Sequence, residues 1–365
     1  MKLAIVADMH LGYSRFEEDA LRQAESALSG AEGKADAIIV AGDVFDTKIP
    51  KLETLKRAAD MFSGRKKPIF IIHGNHERRS RDMTNPVQLL SKLAGVKYVH
   101  AGTEIIEAGG ERVSITCMGS VPEDVAREAL KKVLALPVPG ADFRILMIHQ
   151  SIKELVYGGE DELSLDDLRD LEFDLIVDGH IHKYHSELDG KLLIPGSTVI
   201  TQLRNDEQGE RGYILYDTGK KEHTFQPIAS RLFFYSEVAL ENAALEDAKN
   251  SVLERIQGLR EDHEGAIVKV RITGTLKHGL SAGDFSISCP EGVFVQNALD
   301  SESAADKIKK LREKSEDGVS VREAALKRLA QKVRGKVAFD PVEMFEKLAE
   351  SADAGQECLE ARKGA

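Results

Sequence analysis

Five short apolar runs in the first 182 residues each give way almost at once to aspartate, asparagine or histidine. Leu3–Ala7 leads into Asp8-Met9-His10, Ala37–Ala41 into Gly42-Asp43, and Ile69–Ile72 into His73 and then Gly74-Asn75-His76-Glu77. Ile145–Ile148 ends at His149, and Leu175–Val177 runs into Asp178-Gly179-His180-Ile181-His182. Runs this short and this rich in Ile, Val and Leu suit strands covered on both faces. Further runs at Val113–Met118 and Leu192–Ile194 extend the series. Helix candidates at 17–30, 51–63, 86–93 and 123–135 alternate with them, with Pro50 and Pro86 where a first helical turn would begin. The alternation predicts a layered α/β domain over residues 1–230. Strand C-terminal ends meet on one rim of such a layer, where ligands usually bind, and here every polar group follows a strand end.

Beyond about residue 231 the texture changes. Leu232–Val238, Ala266–Ile272 and Val293–Gln296 read as strands and 244–259 as a helix, which predicts a small α+β domain over 231–300. Residues 301–319 are polar and suit a linker. Ser320-Val321-Arg322-Glu323 is a capping-box pattern that opens a helix to about Val333. Asp340-Pro341 starts a second helix with Val342, Phe345, Leu348 and Ala349 on one face. A helical pair is therefore expected over 320–350, followed by a tail at 351–365.

Composition narrows the function classes. No stretch of about 18 uncharged apolar residues occurs, so no membrane span is expected. Asp8 interrupts the first apolar run too early for a secretory h-region, and a cytoplasmic location is expected. Cys117, Cys289 and Cys358 form neither a disulfide framework nor a zinc pattern, so any metal must be held by oxygen and nitrogen. The net charge is −11 over 365 residues. Residues 307–336 nevertheless hold eleven Lys/Arg against four Asp/Glu, which leaves −18 on the remainder. A nucleic-acid partner is thus disfavoured by global charge without being excluded.

The chemistry resides in the polar groups. Asp8 and Asp43, the Asn75 amide oxygen and the imidazoles of His10, His149, His180 and His182 make seven donors without a thiolate. Such a set matches hard or borderline divalent ions such as Mn²⁺, Fe²⁺ or Zn²⁺. Seven donors exceed one tetrahedral shell and suit two ions sharing a carboxylate, about 3.5–4 Å apart, around an in-line phosphoryl displacement. Each piece also has an ordinary reading: Asp8 as a helix cap, Gly42-Asp43 as a turn, His149 as a structural histidine, His180 and His182 as exposed residues of a strand end. What these ordinary readings leave unexplained is five such groups in order, each after a strand.

In these motifs the sequence resembles the calcineurin-like metallophosphoesterases. Ala7-Asp8-Met9-His10-Leu11-Gly12, Ala41-Gly42-Asp43-Val44-Phe45-Asp46, Ile71-Ile72-His73-Gly74-Asn75-His76-Glu77 and Asp178-Gly179-His180-Ile181-His182, followed by Ile194-Pro195-Gly196-Ser197, look like the nuclease subunit of the DNA double-strand-break repair complex, the meiotic-recombination-eleven or SbcD family. The resemblance implies a β-sandwich flanked by helices, with a DNA-capping α+β domain and a C-terminal helical pair. It implies that Asp8, His10, Asp43 and His182 hold one Mn²⁺ and that Asp43, Asn75, His149 and His180 hold a second. His76 would face the scissile phosphate and protonate the leaving oxygen, while water activated by the ions attacks phosphorus. Some members carry a second histidine three residues after the bridging aspartate; here Asp46 stands there, and no catalytic role is assigned to it.

The resemblance further implies an endonuclease and exonuclease acting in DNA end processing, nucleoid-associated, with an SMC-like ABC ATPase docked on 320–350. It also implies a homodimer through helices 51–63 and 86–93, whose apolar faces (Leu52, Leu55, Ala59, Phe62; Val87, Leu90, Leu93) could equally pack on their own sheet. Arg78, Arg79, Arg81, Lys183, Arg204 and Arg211 are candidates for contacts with flanking phosphates. Two other functions stay open: a phosphoesterase of the same fold acting on small phosphodiesters or nucleotides, and a non-catalytic scaffold. The region after 231 argues against the first, and the intact donor set argues against the second.

Overall fold

The structure, a computed structural model, describes residues 1–80, 82–156, 161–261, 263–299, 343–345 and 347. The expected linker at 301–319, all of the helical pair except residues 343–345 and 347, and the tail at 351–365 lie outside these residues. In chain order the elements begin with β1 (Lys2–Val6), α1 (Glu17–Lys34), β2 (Ala37–Ala41), α2 (Leu52–Ser63), β3 (Ile69–Ile72), α3 (Pro86–Ala94) and β4 (Lys97–Tyr98). They continue with β5 (Gly102–Ala108), β6 (Glu111–Met118), α4 (Glu123–Leu134), β7 (Phe143–Ile148), α5 (Leu165–Arg169), β8 (Leu175–Asp178), β9 (His185–Glu187) and β10 (Leu192–Ile194). The last are β11 (Gly212–Asp217), β12 (Glu222–Pro227), β13 (Phe233–Ala243), α6 (Leu245–Arg260), β14 (Ile267–Leu276) and β15 (Val293–Leu299).

Two six-stranded sheets, ordered β12-β11-β1-β2-β3-β4 and β5-β6-β7-β8-β10-β9, carry the site. Their inner faces share one core, in which Leu3, Ile5, Ile39 and Phe70 of the first meet Ile115, Phe143, Ile145 and Leu175 of the second. The outer face of the first, Ala4, Val6, Ile38 and Val40, packs on Leu28, Leu55, Phe62, Val87 and Leu90 of α1–α3. Leu146, Ile148 and Ile176 of the second pack on Ala126, Leu130 and Leu168 of α4 and α5. The result is a helix–sheet–sheet–helix sandwich. Every residue of β2, β3 and β8 is buried because neighbouring side chains point into different, equally apolar layers. That is why these strands read as unbroken apolar runs.

β1, β2 and β3 are mutually parallel, as are β6, β7 and β8. The register sets Val6 beside Val40, Ala41 beside Ile72 and Ile148 beside Asp178. The loops that follow therefore leave from one rim. Helix starts follow local chemistry. Pro86 occupies the first turn of α3 behind a capping box of Asn85 and Gln88. Pro50 lies outside α2, whose N-cap is Lys51. It shapes the entry to the helix instead of starting its first turn.

A third sheet has the order β13-β14-β15. The chain divides into two compact units: Met1–Glu237 with Val252–Arg271 and Cys289–Gln296, and Val238–Ser251 with Ile272–Ser288 and the described residues from Asn297 on. Among the described residues no helix is long and apolar enough to cross a membrane.

Candidate metal centre

The rim turns back on itself directly after each strand. Asp8, His10, Asp43 and His180 all have positive φ, at 52°, 45°, 48° and 70°. Such backbone costs about 1–3 kcal/mol per non-glycine residue and persists only where the surroundings over-determine it. Here the turns brace one another. Asp8 N–H donates to Gly42 O at 3.1 Å and His10 N–H to Asp43 O at 3.0 Å. His180 N–H donates to Asp8 Oδ1 at 3.2 Å and His76 N–H to Asp43 Oδ1 at 3.0 Å. Gly74 is required by contact, since a Cβ there would lie 2.0 Å from Asp43 Oδ1.

All seven sequence-predicted donors meet at this rim. Asp8, His10 and His182 form one grouping with ligand atoms within 4.8 Å of one another, and Asp8, Asp43 and His149 form another. His10 Nε2 and His182 Nε2 face each other at 3.1 Å. Asn75 Oδ1 lies 3.1 Å from His149 Nε2 and 2.8 Å from His180 Nδ1. Asp43 Oδ2 lies 3.4 Å from His149 Nε2. Asp43 therefore stands between an Asp8–His10–His182 cluster and an Asn75–His149–His180 cluster. His76 joins a grouping with His10 and Asp43 but is more exposed: its side chain is 39% exposed, against 11% for His182 and 0–1% for Asp8, His10, Asp43 and His149.

The electrostatics are those of a place built for positive charge. Asp8 Oδ2 is buried without any hydrogen-bond partner. An orphaned acceptor of this kind costs about 1–3 kcal/mol unless something electropositive meets it. Burial pushes the Asp8 carboxyl up. Burial also works to raise Asp43, yet His149, His10 and His76 hold it far below the ordinary carboxylate range. Burial favours neutral His149, but Asp43 and Asp8 raise it to about 10. His180 goes the other way, to about 3, through burial and the charge of His149. A proton on His149 thus balances the Asp43 carboxylate, and a divalent cation would displace it. The orphaned oxygen, the facing nitrogens and the thiolate-free donor set fit hard or borderline divalent cations.

Apart from Asp46 and Glu77, which lie within the motifs, the groups behind the donors carry no local signal in the sequence. His149 Nδ1 lies 2.7 Å from Ala41 O, which leaves Nε2 to the centre. Asp46 Oδ1 approaches His10 Nδ1 at 3.2 Å, outside hydrogen-bond alignment, and His76 Nδ1 at 3.5 Å. His182 Nδ1 contacts Thr201 Oγ1 at 2.7 Å, and Thr201 Oγ1 donates to Glu207 at 3.2 Å. Burial works to raise Glu207, but His182, Arg211 and the Thr201 N–H hold it down at about 2. Glu77, in the motif but without a sequence-assigned role, accepts Phe45 N–H at 2.7 Å and Gly74 N–H at 2.9 Å. It ties together the loops after β2 and β3.

The arginine expectations divide. Arg211 is 4% exposed and bonds the backbone oxygens of His182 and Glu207, so it is a structural brace and no phosphate contact. Arg78 donates to Ser120 Oγ at 3.3 Å and Arg79 to Thr84 O at 3.0 Å. Arg204 pairs with Asp206 at 3.1 Å, and Lys183 is exposed. Arg81 lies outside the described residues.

Comparison with known proteins agrees with this geometry. Residues 1–184 match the family model described as calcineurin-like phosphoesterase. The chain is 30% identical over 310 residues to the DNA double-strand break repair protein Mre11 of Archaeoglobus fulgidus, covering 73% of this chain and 67% of the relative. It is 29% identical over 171 residues to the Methanopyrus kandleri Mre11, covering 42% and 38%. Against the Methanococcus maripaludis Mre11 it is 26% identical over 236 residues, covering 60% and 63%. The chain thus spans between about two fifths and two thirds of the lengths of these relatives. The chain belongs to the calcineurin-like phosphoesterases and, within them, to the Mre11 family.

Proposed function

We propose that this chain is a two-cation DNA phosphodiesterase, an Mn²⁺-dependent exonuclease and endonuclease that processes double-strand-break ends with an SMC-like ABC ATPase. The observation that carries the reading is the meeting of seven oxygen and nitrogen donors in two clusters sharing Asp43, beside a half-exposed His76. Asp8, His10, Asp43 and His182 would hold one cation; Asp43, Asn75, His149 and His180 would hold the other. Two such cations supply charge neutralisation and water activation to an in-line phosphoryl displacement. The chain's own residues do the rest. His76 Nδ1 donates to Asp46 O at 2.9 Å, which leaves Nε2 to meet a phosphate oxygen and pass a proton to the leaving oxygen. Asp46 acts by orientation, holding the His76 ring beside the buried donors.

DNA as substrate rests on the relatives, which are named as DNA double-strand break repair proteins. In this reading residues 1–230 form the nuclease domain, 231–300 cap the DNA, and 320–350 dock on the ATPase coiled coil, the whole working at the nucleoid. A homodimer fits the surface of α2 and α3. Leu55, Phe62, Val87 and Leu90 pack on the chain's own sheet, but Leu52 and Leu93 remain 78% and 53% exposed. A second copy would cover them. The test is digestion of linear duplex DNA by the purified chain. Degradation with Mn²⁺, abolished by chelation and weakened steeply by salt, is expected. Cleavage confined to a small chromogenic diester overturns the nuclease reading in favour of a small-substrate phosphoesterase.

A further inference from the structure

The two histidines of the Gly179-His180-Ile181-His182 turn are backed by the same device from opposite sides. His180 Nε2 lies 3.0 Å from Ser151 Oγ, and Ser151 Oγ donates to Glu123 Oε1 at 3.1 Å. His182 Nδ1 lies 2.7 Å from Thr201 Oγ1, and Thr201 Oγ1 donates to Glu207 Oε1 at 3.2 Å. In each case the order is imidazole, hydroxyl, carboxylate, and on the second side Glu207 Oε1 also approaches His182 Nδ1 directly, at 3.5 Å. The four backing residues come from the first turn of α4, the loop after β7 and the segment after β10. Glu123 also accepts Gln150 Nε2 at 3.1 Å, and Glu207 accepts Thr201 N–H at 3.1 Å and Gln202 N–H at 2.7 Å. Both carboxylates are thereby held in place.

The direction of each chain follows from proton counting. An ionised carboxylate only accepts, and a hydroxyl has one proton to give. The hydroxyl proton therefore points at glutamate, and the hydroxyl oxygen accepts from the imidazole. His180 must carry its proton on Nε2 and His182 on Nδ1. The bare nitrogens are then His180 Nδ1, 2.8 Å from Asn75 Oδ1, and His182 Nε2, 3.1 Å from His10 Nε2 and 3.8 Å from Asp8 Oδ1. His180 Nδ1 thus faces the Asn75 oxygen and His182 Nε2 the Asp8 carboxylate, an arrangement that a bound cation relieves.

We infer that Glu123 through Ser151, and Glu207 through Thr201, are positioning residues that fix opposite tautomers of His180 and His182 and tune the two cation sites separately. The inference rests on the two-cation reading above. Ser151 and Glu123 serve the Asn75–His149–His180 cluster, and Thr201 and Glu207 serve the Asp8–His10–His182 cluster. Outer partners of metal-binding histidines typically change affinity about 10–100-fold when lost.

The experiment uses the full chain. Long-range ¹H–¹⁵N spectra of the metal-free protein should give His180 as the Nε2–H form and His182 as the Nδ1–H form. Mn²⁺ titration should resolve two uptake steps. Thr201→Val should weaken one step about 10–100-fold and Ser151→Ala the other, with Thr201→Ser and Ser151→Thr restoring them. Thermal melting of the metal-free variants separates this from a loss of fold, and the tautomer spectra need no variant. Two wild-type steps that both variants weaken alike, or leave unchanged, overturn the relays while the two-cation reading stands. The reverse tautomers overturn them outright. A wild-type chain that takes up fewer than two Mn²⁺ overturns the two-cation reading and the inference with it.

Discussion

The rim of the two large sheets and the three-stranded sheet use apolar sequence in opposite ways. β2 is buried at all five positions, whereas β14 alternates along much of its length, with Val268, Val270 and Ile272 buried and Lys269, Arg271 and Thr273 partly exposed. Covering both faces of a strand fixes its end on every side. This lets the large sheets hold four left-handed Asp and His residues, together with bare acceptors buried from water, at one rim. One-sided cover gives a stable strand whose outer positions are free to vary. Buried charge accordingly collects where two sheets and their helices converge.

The largest effects should come from the rim itself. Asp43→Ala removes the carboxylate common to both clusters and should weaken Mn²⁺ uptake more than about a hundredfold, with activity lost. His76→Ala should keep both cations and lower hydrolysis by about 10²–10⁴-fold. If calorimetry found cations lost with His76, the division between buried donors and an exposed proton carrier would fail.

Ile38→Ala and Ile39→Ala point to opposite faces of β2, and each should cost about 2–5 kcal/mol in denaturant unfolding. In β14, Ile272→Ala should fall in the same range of about 2–5 kcal/mol. Its neighbour Thr273→Ala should stay within about 0.5 kcal/mol. Equal losses at both β14 positions would remove the contrast.

The smallest expected effect concerns acid. Glu207 is held at about 2 against an ordinary 4.5, so the folded state binds fewer protons there than the unfolded chain. Its contribution is complete above about pH 4.5 and drains away as pH falls towards 2. Acid melting of the metal-free Glu207→Gln variant should be flatter across that window than wild type. An unchanged slope would mean that another carboxylate governs it.

The legible parts of the fold share a physical origin. β2, β3, β8 and β10 could be read because two-sided burial writes continuous Ile/Val/Leu runs, and α3 because Asn85, Pro86 and Gln88 specify its start locally. β5, β9 and β12 escaped notice: their exposed or half-buried residues produce no such run. Asp8, His10, Asp43, Asn75, His149, His180 and His182 were visible because each follows a strand end by a residue or a few. Glu123, Ser151, Thr201 and Glu207 were not, since each is an ordinary surface-type residue until folding sets it behind a histidine. Arg211 misled for the same reason, being a loop arginine in sequence and a buried brace in space.

The sequence alone determined which residue types could bind cations and that each follows the end of an apolar run, because side-chain chemistry and hydropathy pattern are local properties. Only the tertiary structure decided which nitrogen each histidine turns to the centre, and that the His76 side chain, 39% exposed, opens to solvent while Asp8, His10, Asp43 and His149 are closed from it. Those depend on hydroxyls, carbonyls and carboxylates brought from distant segments, and on their distances to a few tenths of an ångström, which no spacing along the chain encodes.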